Sequence, residues 1–339
     1  MKPIARADRM MPALRRALPW NVVVPVVFVL VSGWNLLDGL LDPRYFGAHA
    51  VIYTDAARAW LTGGDPWRVG PPNVIFAGPP PMLIPFVPFI GLPVDVTRVV
   101  WIGGTAMLAI WMLRRLRLPA YWLAFPPLFL AIELGHIEVV ILWLVVFGGL
   151  ARGLAALIKP YASLALLAER RWHALALGLV VFLATLPILP WRLFIDDIPL
   201  ISETIVRQNY GDSALGNPLL AGAAFIALAS LGLRRGLWLA APLLWPYPQP
   251  IYKVLSVPML SPLIAVFWAV PVPGATLAGV ICEAVLLQVA RRRPIPAWLR
   301  LGLGPAAQWP SDRQLDPDRI PEPAPVQGFS SASAANARR

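Results

Sequence analysis

Residues 21–41 read NVVVPVVFVLVSGWNLLDGLL, and this apolar run decides the fold class. Asp38 is its only charged side chain. A helix of about 20 apolar residues crosses the hydrocarbon core of a bilayer, and the run has that length. It is too long for the core of a signal peptide, and it lacks a small-residue cleavage site. We therefore expect it to remain in the protein as a membrane anchor.

The composition extends this prediction to most of the chain. Hydrophobic residues make up 58% of the sequence and charged residues only 14%, with 15 Trp. A soluble core cannot bury that much apolar surface. Further apolar runs bounded by charge predict an all-α, polytopic transmembrane helical bundle of about 8–10 spans. A count of about nine would place Arg291–Arg293 outside, against the positive-inside rule, so one short segment is miscounted.

The basic residues indicate orientation in a lipid bilayer and argue against nucleic-acid binding. The net charge is +11, but Lys and Arg fall in short clusters between apolar runs, as in cytoplasmic loops. Residues 1–19 form a basic segment before the first span, whereas the loop after that span has nearly balanced charge. We therefore expect the N-terminus in the cytoplasm and the first loop outside, in a multi-pass protein of the plasma membrane.

Cofactor motifs are absent from the sequence. It contains no GxGxxG, Walker loop, HExxH or CxxC motif, which argues against a nucleotide-driven pump and a standard zinc site. The single cysteine, Cys282, excludes an intramolecular disulfide framework. We predict no cofactor, and we leave open whether a divalent cation assists the protein.

The segments between apolar runs divide the chain. We expect a membrane domain over residues 20–293 and a disordered cytoplasmic tail over 294–339, which is rich in Pro, Ser, Ala and Arg. The first outer loop, 42–96, holds a short amphipathic helix and a proline-rich, interfacial or re-entrant stretch. A second outer loop covers 191–216.

The first outer loop carries the leading catalytic candidate, Asp55. It lies in the stretch Tyr53–Trp67, just outside the first span, on a helix that presents an apolar face to the membrane. Such an acid serves either as a first-turn residue that favours the helix dipole or as a base for a group arriving at the membrane surface. Arg58 lies about one turn further on, and Asp65 follows the helix.

Other candidates are polar residues that a membrane pattern does not require. His136 follows Gly135 at the point where a span turns back. It is either a hydrogen-bonded histidine at the membrane interface or a group that faces a polar cavity. Lys159 is equally well explained as a charge that ends a membrane span on the cytoplasmic side (a stop signal) and as a buried cation. Glu283 lies inside the last apolar run and has no visible partner. The remaining candidates for substrate binding are Arg207 and Asn209 in the second outer loop, and Tyr252 and Lys253 after a Pro- and aromatic-rich break.

The order of these motifs resembles glycosyltransferase family 87 over roughly residues 40 to 260. The motifs that carry the resemblance, besides the early outer Asp55, are Gly63-Gly-Asp-Pro-Trp67, Pro79-Pro-Pro81, Leu83-Ile-Pro-Phe86, Gly135-His136, Lys159-Pro160 and Asn209-Tyr-Gly-Asp-Ser213. That family has the multi-spanning type C glycosyltransferase architecture and includes polyprenyl-phosphate-dependent mannosyltransferases of bacterial envelopes.

The resemblance implies a reaction and roles for the candidates. A hexose, mannose-like, or a pentose would pass from a polyprenyl-phosphate donor to a glycan or glycolipid acceptor by inverting displacement, with Asp55 as base. Arg58 would orient that carboxylate or meet the phosphate, and Arg207 or Lys253 would hold the lipid phosphate. The competing interpretations are a transporter or flippase for a lipid-linked or small polar solute, and a noncatalytic membrane subunit.

Overall fold

The computed structural model describes residues 4–42, 45–70, 75–208 and 213–306, and every regular element in these ranges is helical. The α-helices are α1 (Ile4–Leu41), α2 (Ala48–Leu61), α3 (Val94–Arg115), α4 (Pro126–Glu133), α5 (Glu138–Phe147), α6 (Arg152–Ile158), α7 (Ala162–Ala168), α8 (Trp172–Thr185), α9 (Trp191–Gln208), α10 (Pro218–Ser230), α11 (Leu233–Leu244), α12 (Pro262–Ala269), α13 (Ala275–Arg292) and α14 (Ala297–Leu301). The 3-10 helices are Pro66–Arg68, Pro80–Phe89, Ala120–Ala124, Gly149–Ala151, Ala214–Gly216 and Pro250–Met259. The all-α membrane fold is therefore confirmed.

Two helices in the described ranges are long and apolar enough to cross a membrane, the Trp20–Leu41 part of α1 and all of α3. The pair α4 and α5 passes the same test together, but its two halves are bent by 115° at a short break. Most other apolar helices are shorter, because proline and glycine interrupt them. Fewer full-length spans result than the apolar runs of the sequence suggested.

The proline-rich stretch of the first loop forms the 3-10 helix Pro80–Phe89, which packs on α2. Prolines lack a backbone donor and so exclude a regular α-helix here. Phe86 and Leu83 are fully buried. The indole of Trp67 donates to the carbonyl oxygen of Gly78 over 2.9 Å, which fixes the entrance to this stretch.

Helices α6 and α8 approach each other closely at Gly153 and Gly178. A Cβ atom added to Gly178 would lie 2.7 Å from the carbonyl oxygen of Gly153, and one added to Gly153 would overlap the carbonyl oxygen of Ala174. Only glycine permits the two backbones to come this near.

A buried ion pair joins α11 to α13. Arg235 contacts both carboxylate oxygens of Glu283 at 2.6 and 3.0 Å, and Ser261 donates to the same carboxylate. The backbone N–H of Gly304 donates to it over 2.8 Å. Glu283 thus has the partner that the sequence did not reveal. Residues 294–306, assigned above to the tail, include α14 and return to this pair, while 307–339 lie outside the described residues.

Candidate active site

The N-terminus of α2 is anchored on the break between α4 and α5. Gly47 has a φ of 65°, which favours glycine, and starts the helix. Its N–H donates to the carbonyl oxygen of Glu133 over 2.8 Å, and the N–H of His49 donates to that of Leu134 over 2.9 Å. The break thereby satisfies two donors of the first turn of α2 and holds His49 against the bend.

The break itself turns at Gly135, whose φ is 72°. The indole of Trp101 donates to the Gly135 carbonyl oxygen over 2.9 Å, which supports the turn from α3. His136 and Glu138 follow and point into the interior, where both are buried. A broken apolar helix thus delivers two titratable side chains to the protein core, where polar groups need partners.

His136 is the centre of an aromatic and polar cluster. Its ring packs against that of His49 at a centroid distance of 3.6 Å, with the ring planes tilted by 32°. Its Nδ1 lies 3.1 Å from the hydroxyl of Tyr53 and 3.4 Å from Oε2 of Glu138. Burial lowers the pKa of His49, and the neighbouring His136 lowers it further. Burial likewise raises the pKa of Tyr53. Both side chains of α2 therefore favour their neutral forms.

Glu138 connects this cluster to a lysine. Its Oε1 lies 3.3 Å from Nζ of Lys159 and accepts a hydrogen bond of 3.3 Å from the Tyr161 hydroxyl. Within the described ranges its Oε2 makes no hydrogen bond of standard geometry, and it lies 3.4 Å from Nδ1 of His136. Glu138 therefore contacts Lys159 and Tyr161 through one oxygen and His136 through the other.

A cavity of about 460 Å³ opens beside this cluster. Its polar edge is formed by Lys159, Tyr161 and Tyr252, and the two tyrosine rings stack at 4.3 Å. The remaining walls are mainly apolar and aromatic, and they include Ala77, Pro79, Gly153, Gly178, Leu179, Phe182, Trp191, Phe194, Ile205 and Trp245. Such a pocket suits a ligand with one polar group and a large apolar or ring surface.

Asp55 lies outside this cluster. Its side chain is 42% exposed and contacts Arg58 at 2.5 Å, and Arg58 also donates to the carbonyl oxygen of Ile90. Residues 53 and 55 are separated by about 200° around a helix axis, so Asp55 projects away from the face that carries Tyr53. Asp55 is not among the residues lining the 460 Å³ cavity.

Asp65 caps the 3-10 helix Pro66–Arg68 by accepting from the N–H of Trp67 over 2.9 Å. Arg68 joins it to the buried Asp197 of α9, with contacts of 3.0 and 2.9 Å. Burial raises the pKa of Asp65, and the nearby Asp197 raises it further. These contacts attach α9 to the first loop.

The later candidates lie in separate places. Arg207 pairs with Glu203 on the exposed surface of α9 at 2.6 Å. Asn209 lies outside the described residues. Tyr252 borders the 460 Å³ cavity, whereas Lys253 lines a second cavity of about 280 Å³ and donates to the Trp268 carbonyl oxygen over 3.2 Å. The structure thus brings His136 and Tyr252 near one site but leaves Arg207 and Lys253 elsewhere.

The site residues chosen from the sequence omitted five members of the cluster, namely His49, Tyr53, Glu138, Lys159 and Tyr161. Of these, Lys159 was weighed only as a charge that ends a span or as a buried cation. A usable signal existed at Glu138, which opens a strongly apolar run, and at Lys159-Pro160-Tyr161. Charged residues placed against apolar runs are expensive in a membrane unless they pair with one another. Treating the two as partners would have predicted the site.

These features define a helical membrane protein with a polar site at a broken helix beside an aromatic cavity. A sequence profile of glycosyltransferase family 87 matches residues 76–299, and the chain belongs to that family. The resemblance noted from the motifs is thereby confirmed, and membership supports glycosyltransferase activity in a membrane. The comparisons with curated proteins and with solved structures gave no match. The matched range contains His136, Glu138, Lys159 and Tyr252.

Proposed function

We propose that this glycosyltransferase moves a mannose-like hexose or a pentose from a polyprenyl-phosphate donor to a glycan or glycolipid acceptor of the cell envelope. The observation that carries the proposal is an aromatic cavity with a cation and tyrosines at one edge, in a membrane member of the family. Aromatic faces stack on sugar rings, and a cation attracts a phosphate.

The reaction we propose is a single displacement with inversion. The acceptor oxygen forms a bond to the anomeric carbon, and the bond from that carbon to the phosphate oxygen breaks. The electron pair leaves with the lipid phosphate, which is stable as an anion and needs no acid catalyst. The hydroxyl proton goes to a base, so one carboxylate is required instead of the acid and base pair of a glycoside hydrolase.

Asp55 remains our proposed base, and because it does not line the 460 Å³ cavity, the reaction requires the anomeric carbon of a donor held there to extend to the face of α2 that carries Asp55. It is accessible to an acceptor arriving from the aqueous side of α2, and Arg58 holds its carboxylate in place. The other proposed contacts to donor or acceptor are Arg58, Asp65, His136, Arg207, Asn209, Tyr252 and Lys253. The site proposed for the reaction lies on the outer face of the plasma membrane.

The test is transfer from radiolabelled polyprenyl-phosphate sugars by the purified full-length protein. Asp55→Asn should lower turnover by about 10²–10⁴-fold, the usual contribution of a general base, while donor binding persists. Asp95→Asn is the matched control, because Asp95 is also exposed and lies 3.6 Å from an Arg three residues later. Unchanged turnover in Asp55→Asn would remove Asp55 from the mechanism.

The same preparation separates the other two function classes. Movement of the lipid-linked sugar across a vesicle membrane without any transferred product would favour a flippase. Neither movement nor transfer would favour a noncatalytic subunit.

A further inference from the structure

The 460 Å³ cavity has a single charge on its wall. Among its lining residues in the described ranges, Lys159 is the only charged one, and no carboxylate faces the space directly. A cavity with one cation at its edge and apolar walls attracts an anion that also carries apolar groups.

The backbone presents Lys159 at this edge. Helix α6 ends at Ile158, and Lys159 adopts an extended conformation, with φ −135° and ψ 99°, before Pro160. The residue before a proline is pushed out of the helical region, so the sequence itself ends the helix and turns this side chain inward.

The ammonium group retains capacity for a ligand. In the described residues its contacts are Oε1 of Glu138 at 3.3 Å and the ring of Tyr252, whose centroid lies 5.7 Å away. An ammonium carries three N–H donors, and one carboxylate oxygen uses one of them. Tyr252 lines the same space, and its hydroxyl, which forms no hydrogen bond to another described residue, supplies a second donor.

The walls fit the rest of a lipid-linked sugar. Trp191 and Trp245 supply flat faces for a sugar ring. Leu179 of α8 lines the cavity and is 58% exposed, so the apolar wall continues to the surface of the protein. An isoprenoid chain is apolar and flexible and matches such an exit into the bilayer.

We propose that Lys159 and the Tyr252 hydroxyl bind the phosphate of the lipid-phosphate donor, with the sugar against Trp191 and Trp245. This assignment rests on the proposed function and names its donor site. It moves the phosphate contact from Arg58, Arg207 and Lys253 to Lys159. Glu138 positions the lysine and does not itself touch the donor.

Binding of farnesyl phosphate to the detergent-purified full-length protein tests the assignment, with farnesol and inorganic phosphate as separate arms. Lys159→Met alone would leave Glu138 buried without its cation, so the main variant is Glu138→Gln with Lys159→Met, which removes both charges. We expect this double variant to bind farnesyl phosphate about tenfold to a hundredfold more weakly and farnesol as the wild type does. Lys159→Arg should retain binding, and the exposed Arg114→Met, which also removes one positive charge, should not alter it.

Equal binding of farnesyl phosphate by the double variant and the wild type would overturn the assignment, as would a loss confined to Lys253→Met. Inorganic phosphate that binds as tightly as farnesyl phosphate would show a site for a free anion instead of a lipid headgroup. Tryptophan fluorescence gives a second measurement in a folded background. The quench by farnesyl phosphate should be reduced in the Trp191→Phe, Trp245→Phe variant, and an undiminished quench would place the lipid elsewhere.

The binding readout is independent of turnover. Loss of binding in the double variant without any sugar transfer by the wild type would keep the phosphate site and reject the proposed reaction. Transfer by the wild type with normal binding by the double variant would keep the reaction and reject the site.

Discussion

Glu138 and Lys159 form a buried ion pair whose energetics can be measured by a double-mutant cycle. Their side chains are 2% and 11% exposed, so neither charge is well solvated. Glu138→Gln leaves the ammonium without its anion, and Lys159→Met leaves the carboxylate without its cation. Breaking a buried pair in this way costs about 3–5 kcal/mol for each single variant. The double variant leaves neither charge, so we expect its loss to fall below the sum of the singles by roughly 0.5–3 kcal/mol.

The free energy of unfolding would be measured by circular dichroism during SDS titration in mixed micelles. Glu203→Gln and Arg207→Met provide the matched cycle on an exposed pair, whose side chains are 59% and 73% exposed. There we expect coupling of about 1 kcal/mol or less, because water solvates both partners. Strictly additive losses at Glu138 and Lys159 would refute the claim that the two charges stabilise each other.

Two further predictions concern other buried groups. His49→Gln should flatten the pH dependence of stability. Because the pKa of His49 is lowered in the folded protein, the unfolded state takes up a proton at a higher pH than the folded state does. In the wild type the contribution of neutral His49 to stability is therefore complete above a pH of about 6.5, and it is lost as the pH falls toward the pKa of the folded state. Thermal unfolding in detergent measures the stability of both proteins between pH of about 5 and 8, the range in which histidine changes charge. Stability curves that run parallel over this range would contradict the prediction. Glu283→Gln should cost about 3–5 kcal/mol because Arg235 then lacks its anion, and the SDS titration measures it. A change within about 0.5 kcal/mol, as for an ordinary surface substitution, would contradict it.

The class of fold could be predicted from composition, because no soluble core accommodates this fraction of apolar residues. The first span was also predictable, since residues 21–41 form an unbroken run of the required length. The break at Gly135 was harder. Glycine in a helix is tolerated, so its presence does not reveal a bend of 115°. Contacts from α2 and Trp101 determine that bend, and they join residues far apart in sequence.

The candidate site was only partly predictable for the same reason. Asp55 stood out because it is a loop acid near a span, and loop acids are recognisable from local pattern alone. Glu138 and Lys159 pair across 21 positions of sequence, and each has an ordinary local explanation, as a first-turn acid and as a charge that ends an apolar run. Helical periodicity places residues three or four apart on one face, and it carries no information on such distant pairs.

Gly153 and Gly178 give one side of the cavity a floor of bare peptide backbone. A methyl group at either position would wedge two helices apart and shrink the space for a guest at once, so these positions cannot be used to tune selectivity. Trp191 and Trp245, in contrast, line the same cavity with side chains, and a smaller residue there would enlarge the space without bringing two backbones into contact. Selectivity between a larger and a smaller sugar should therefore be adjustable at the two tryptophans, whereas the two glycines set a fixed limit on the size of the cavity.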